Sequence, residues 1–173
     1  SSGADIFNDI SGLTFDPEIA DVVKQHDAAL VLMHIKGNPQ TMQKNPYYED
    51  VVCEVFDFLS NQIKFLNQKD ISNIIVDPGI GFGKKIEDNF ELINRLEEFK
   101  SLGYPILIGV SKKSFLGKSL NLDITDRENA TVCAESICMN NGARFIRTHN
   151  VKKAVEAVNI FNLINSFGKL VNA

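Results

Sequence analysis

Cysteine is scarce in this sequence, positive charge is not in excess, and no hydrophobic run is long. Cys53, Cys133 and Cys138 are odd in number, show no CxxC spacing, and sit poorly for sharing a metal on one helical face. Buried free thiols in a reducing cytoplasm are therefore expected. The net charge of −4 argues against a broad nucleic-acid surface, which needs a basic face. No apolar run approaches the ~20 residues of a membrane span, and the first residues do not read as a signal peptide, so no membrane partner is expected. An initiating methionine is also missing, so Ser1 is not expected to be a natural start. Two phosphate fingerprints fail as well. Gly79, Gly81 and Gly83 alternate, but Lys84 stands where G-x-G-x-x-G needs its third glycine. The P-loop pattern is one residue short and continues into Lys85 instead of Ser or Thr.

What is present is ordinary globular material, 44% hydrophobic and 23% charged over 173 residues, enough for one domain with a sizeable core. Five short apolar runs fit buried parallel strands: Ala4 to Phe7, Ala29 to Met33, Ile74 to Val76, Ile106 to Ile108, and Phe145 to Ile146 with its flanks. Helical stripes separate them. Asp16-Pro17-Glu18 opens the first, with Asp16 as N-cap, ahead of Ile19, Val22 and Val23. Val51, Val55, Phe58, Leu59, Ile63 and Leu66 form the second, and Ile86, Phe90, Ile93 and Leu96 the third. Ala130, Cys133, Ala134 and Ile137 form the fourth, stopped by Asn140-Asn141-Gly142. Val151, Ala154, Val155, Val158 and Phe161 form the last. Strand and helix alternate throughout, the pattern of an α/β fold with a parallel sheet. Lys36 to Asn45 reads as the longest loop.

Ligands of parallel α/β folds bind outside the carboxyl ends of the strands. Those ends carry Asn8-Asp9, His34 with Lys36, Asp77, Ser111 to Lys113, and Arg147 with His149. Lys84, Lys113, Arg147 and His149 make a cationic half suited to an anion such as phosphate or carboxylate. Asp77 offers a fixed acceptor for paired N–H donors of a heterocycle, and Phe82 and Phe115 offer ring faces for an aromatic substrate. Against this stand local readings. Asp77 could cap its own Pro-Gly turn, Lys85 reads as a solvated charge, His34 as a satisfied core histidine and His26 as surface. Arg147 and His149, two apart, are expected to share a strand face. The alternating glycines are read as a loop that turns sharply and brings its backbone against a ligand.

GADIFNDISG (3 to 12), LMHIKGNPQTMQ (32 to 43), DPGIGFGK (77 to 84), GVSKKSFLG (109 to 117) and RTHNV (147 to 151) together resemble the dihydropteroate synthases of folate biosynthesis, in that family's order. The resemblance implies a TIM (β/α)8 barrel, here its last five β/α units. It implies condensation of a hydroxymethyl-dihydropterin diphosphate with 4-aminobenzoate, with Mg²⁺ assistance from ligands outside this chain. By resemblance, Asn8, Met33, Asp77, Gly81, Lys113 and Arg147 meet the pterin. Phe82, Ser111 and Lys113 line the 4-aminobenzoate pocket, and Arg147 with His149 holds the diphosphate. Lys113, Asp77 and Arg147 carry the catalytic expectation. Lys112 departs from the arginine common there.

The match starts at the family's fourth strand, whereas a barrel takes about 250 residues and eight strands. The chain is therefore expected to be an N-terminally incomplete domain, inactive alone, and a homodimer when full length. Two alternatives stay open: a pterin-binding domain of the corrinoid methyltransferase type, and a synthase-like module without catalysis. SKKSF (111 to 115) and the Arg147-x-His149 pair favour the synthase, because methyl transfer has no diphosphate to hold.

Overall fold

A computed structural model describes residues 3–170. The apolar runs become β1 (Ile6–Asp9), β2 (Ala29–Met33), β3 (Ile74–Asp77), β4 (Ile106–Ile108) and β5 (Ala143–Ile146). The helices are α1 (Ile19–Gln25), α2 (Val51–Gln68), α3 (Ile86–Asn94), α4 (Ser114–Leu120), α5 (Glu128–Asn140) and α6 (Val151–Leu170). Every strand pair is parallel, and the sheet order is β1-β2-β3-β4-β5. Sequential order with a helix after each strand is barrel winding; a doubly wound sheet reverses direction midway.

Curvature points the same way. Four interstrand gaps of about 4.8 Å would hold β1 and β5 about 19 Å apart in a flat sheet. Yet the Arg147 guanidinium, just past β5, donates to Asp77 Oδ2 (3.2 Å) at the end of β3 and to Asn8 Oδ1 (2.6 Å) on β1. The two side chains together reach only roughly 10 Å at ~1.5 Å per bond. The sheet therefore curls, and its carboxyl ends converge.

Covered on both faces, β2 is buried at every residue, whereas Ile6, Phe7 and Asn8 of edge strand β1 are exposed. The core joins the strands to α2, whose Val51, Val55, Leu59, Ile63 and Leu66 are all buried. Each such side chain contributes about 1.5–3 kcal/mol of burial. Asp50 caps α2 by accepting from Cys53 N (2.9 Å), and Arg95 binds the same carboxylate, so its pKa falls to about 2.

Several expectations shift. β1 runs two residues later than expected, which brings Asn8 and Asp9 into the strand. Glu18, not Asp16, precedes α1, although Asp16 Oδ1 still accepts from Glu18 N (3.0 Å). In α5 the buried residues are Thr131, Ala134, Glu135, Cys138 and Met139, while Cys133 and Ile137 are exposed. That helix is weakly amphipathic, so its apolar stripe did not mark the inward face. The thiol expectation holds for Cys138 alone, which burial pushes up to about 12; Cys53 is exposed like Cys133. Val151, Val155 and Phe90 of the other stripes are exposed. Among the described residues, no helix is long and apolar enough to cross a membrane.

Candidate functional site

The site is built where the strand ends meet. Register sets Met33 beside Asp77, and the backbone N of His34 continues that ladder onto Asp77 O (3.0 Å). Asp77 is 2% exposed. Its Oδ1 accepts from Gly79 N (2.8 Å), so the local turn reading is correct for one oxygen. The other oxygen takes Arg147. Burial raises the Asp77 pKa, opposed by the Gly79 bond and by Arg147, Lys113 and Lys84. Arg147 crosses the Cα of Gly109, where a β-carbon would lie 3.6 Å from its own.

Lys113 immediately precedes α4 and extends across the mouth. Its Nζ donates to the Ile80 carbonyl and stands 4.5 Å from the Phe82 ring centre, a cation over an aromatic face. Burial lowers its pKa to about 8, with Asp77 opposing and Arg147 assisting. Gly81 lets this happen, since a β-carbon there would lie 3.0 Å from Lys113 Cδ. Ser111 is buried and accepts from His149 N (3.2 Å), with its Oγ 2.9 Å from His149 Nδ1. Asn8, Asp77, Lys113 and Arg147 thus converge, with Phe82 on one flank and Ser111–His149 on the other.

Four site expectations change. β5 ends at Ile146, so Arg147 and His149 share no strand face; one turns to Asp77, the other to Ser111. Lys84 is 3% exposed and does not join the cationic surface. Phe115 is core, edge-on to Phe90 at 5.1 Å, and offers no ring face. The glycines turn sharply, with φ of 72°, 81° and 65°, but Gly79 and Gly83 press on the His34 and Lys36 carbonyls of their own chain. Met33 is buried beneath the mouth, as is His34, while Lys85 and His26 are exposed.

Asn89, Thr131 and Arg127 escaped the sequence reading, and Asp9 entered it only as a strand end. Asp9 accepts from Ser11 N (2.8 Å) and Leu13 N (2.5 Å), which the Asp-x-Ser spacing could have signalled. Asn89 is buried, accepts from Gly81 N (2.5 Å) and donates to Lys85 O (2.5 Å). Lys112 sits in the left-handed region (φ 54°), held by its N–H on Thr131 Oγ1 (3.0 Å) and its O on Arg127 Nη1 (3.0 Å). Its ammonium pairs with Glu128 at 3.4 Å. Thr131→Val is expected to strand that N–H and cost about 1–3 kcal/mol, with Thr131→Ser nearer wild type. Urea unfolding of both variants is the check.

A family model described as pterin binding enzyme matches residues 1–149. A dihydropteroate synthase of Synechocystis is 46% identical over 87% of this chain and 53% of its own length. A Thermus thermophilus dihydropteroate synthase, solved in complex with 4-aminobenzoate, superposes with a TM-score of 0.89 at 34% identity, over 93% of this chain and 63% of that one. A Xanthomonas albilineans dihydropteroate synthase in complex with 7,8-dihydropteroate gives 0.86 at 31% identity, over 94% and 60%. The chain spans about half the length of the curated relatives it matches, 53% and 56% for two of them. The fold is that of five β/α units of a TIM barrel.

Proposed function

The chain belongs to the pterin-binding enzymes, and on that premise we propose that it carries most of a dihydropteroate synthase site. The substrates would be a hydroxymethyl-dihydropterin diphosphate and 4-aminobenzoate. The observation that carries this reading is the meeting of Asn8, Asp77 and Arg147 beside Lys113 over Phe82.

In the reaction the methylene carbon loses its C–O bond to diphosphate and gains a bond to the aryl amine, whose proton leaves with the products. The pterin ring can spread positive charge developing on that carbon, so no strong base is needed. The site must fix the heterocycle, hold the departing anion and place a weak nucleophile. Asp77, with Asn8, would accept the N–H edge of the pterin above Met33 and Gly81. Arg147 would cover the ring and, with His149, hold the diphosphate by charge-assisted bonds. Phe82 and Ser111 would wall the aminobenzoate, and Lys113 would stand between the two substrates.

Among the described residues no group of three or more His, Cys, Asp or Glu side chains is placed to hold a metal. No step is assigned to Mg²⁺, which the family resemblance would supply through protein ligands outside this chain. A cytoplasmic homodimer completes the proposal.

The test is formation of dihydropteroate and diphosphate by the full-length protein from the two substrates. Absence of product would reject the reading. The isolated 173-residue chain is expected to be inactive, because five strands leave open edges and half a mouth. Turnover near the full-length rate would reject that dependence.

A further inference from the structure

Of the cationic half formed by Lys84, Lys113, Arg147 and His149, Lys84 alone has no part in the mechanism above. Its Nζ lies 2.9 Å from His34 Nδ1 and donates to the Phe82 carbonyl at 3.1 Å. Among the described residues no carboxylate comes within ion-pair distance of it. Taking an ammonium out of water without a paired anion is costly, and an apolar side chain of similar length would pack there more cheaply. Its presence therefore calls for a role other than stability.

The loop it serves needs holding. Gly79, Gly81 and Gly83 all have positive φ, so the backbone around Phe82 has little stiffness of its own. Asp77 holds Gly79 N, Asn89 holds Gly81 N, Gln43 holds Gly81 O (2.7 Å) and Tyr48 holds Gly83 O (2.7 Å). Among the described residues, only Lys84 reaches the carbonyl of the residue that bears the ring. The other end of the strap is fixed as well. His34 follows β2, and its ring stands edge-on to Phe58 of α2 at 5.0 Å. Burial first, then Lys84 and Lys36, drives the His34 pKa far down, so the imidazole is neutral and Nδ1 can accept. Burial lowers the Lys84 pKa to about 7, with Asp77 and Asp88 opposing and Lys113 and Lys36 assisting.

We propose that Lys84 is a positioning residue of the aminobenzoate pocket: bonded to both the Phe82 carbonyl and His34, it fixes the Phe82 ring beneath Lys113. This rests on the assignment of Phe82 to that pocket. A strap on one wall acts on one substrate, so its loss should separate the two Michaelis constants.

The experiment is steady-state kinetics on the full-length enzyme. Lys84→Met is expected to raise KM for 4-aminobenzoate about tenfold, with kcat and the pterin diphosphate KM within about threefold of wild type. His34→Asn keeps an acceptor near the Nδ1 position and should stay near wild type, whereas His34→Leu should reproduce Lys84→Met. Melting curves establish that each variant folds. An unchanged 4-aminobenzoate KM in both Lys84→Met and His34→Leu overturns the strap. Equal changes in all three constants with a lowered melting temperature overturn it too, in favour of a purely structural role. If the wild-type enzyme turns over neither substrate, the proposed activity itself fails, and the strap's role with it.

Discussion

Replacing Lys113 with alanine in the full-length enzyme is expected to lower kcat/KM about 100- to 1000-fold, the usual loss when one preorganised donor is removed. The fold should survive. Removing the ammonium takes one donor from the Ile80 carbonyl and the cation from the Phe82 face, a cost of about 1–3 kcal/mol that a folded domain can bear. Steady-state kinetics with a melting curve separates the two effects, and unchanged turnover would refute the role. The ammonium also predicts a pH profile. Because burial sets the Lys113 pKa at about 8, kcat/KM should fall on the alkaline side with a midpoint near that value. Lys113→Arg stays charged, so any activity it retains should lack that limb. Stability moves oppositely. The folded pKa of about 8 lies below the ordinary lysine value of about 10.4, so between them the unfolded chain binds more protons. This group's contribution to stability therefore rises with pH across that window, and Lys113→Met should abolish the rise.

Gly79→Ala is expected to be the most damaging small change in the loop. At φ 72° a side chain is strained, and the new β-carbon would strike the His34 carbonyl oxygen. Left-handed strain of about 1–3 kcal/mol and overpacking of about 1–3 kcal/mol together predict a loss of about 2–6 kcal/mol. In a chain of this size the melting temperature should drop on the order of 10 °C. Gly103→Ala supplies the control, since Gly103 has φ 80° and a methyl added there would meet nothing within 4 Å. It isolates the backbone cost. If urea unfolding finds Gly79→Ala no worse than Gly103→Ala, the close approach of the two loops is not what glycine serves there.

Much of this architecture was legible because β2 and β4 are unbroken apolar runs bounded by turn residues, and their limits match the sequence reading. That Asn8, Asp77, Lys113 and Arg147 lie on one face followed from strand polarity, whereas their meeting depends on the curl of the sheet. Burial of individual charges was not legible. Lys84 and Lys85 are chemically identical neighbours, and only the fold turns one inward and the other to water. Glu135 is a stronger case, 1% exposed, with both carboxylate oxygens lacking a hydrogen-bond partner among the described residues and its pKa raised by burial. No periodicity argument places a glutamate in a helix's buried face, which is why the inward side of α5 was misjudged. Arg147 and His149 were separated by where β5 stops, and strand ends are the least certain part of any pattern.

The bond between Arg147 and Asn8 joins residues 139 apart in sequence. Contacts of such span close only after most of the chain has ordered, since the loop entropy must be offset first. During synthesis, Asn8 and Asp77 are present long before Arg147 exists. The pocket is thus a late product of folding, and a heterocycle touching all three residues binds only chains that have docked β5. Such a ligand would draw folding to completion by mass action, adding about 2.7 kcal/mol at one hundred times its Kd.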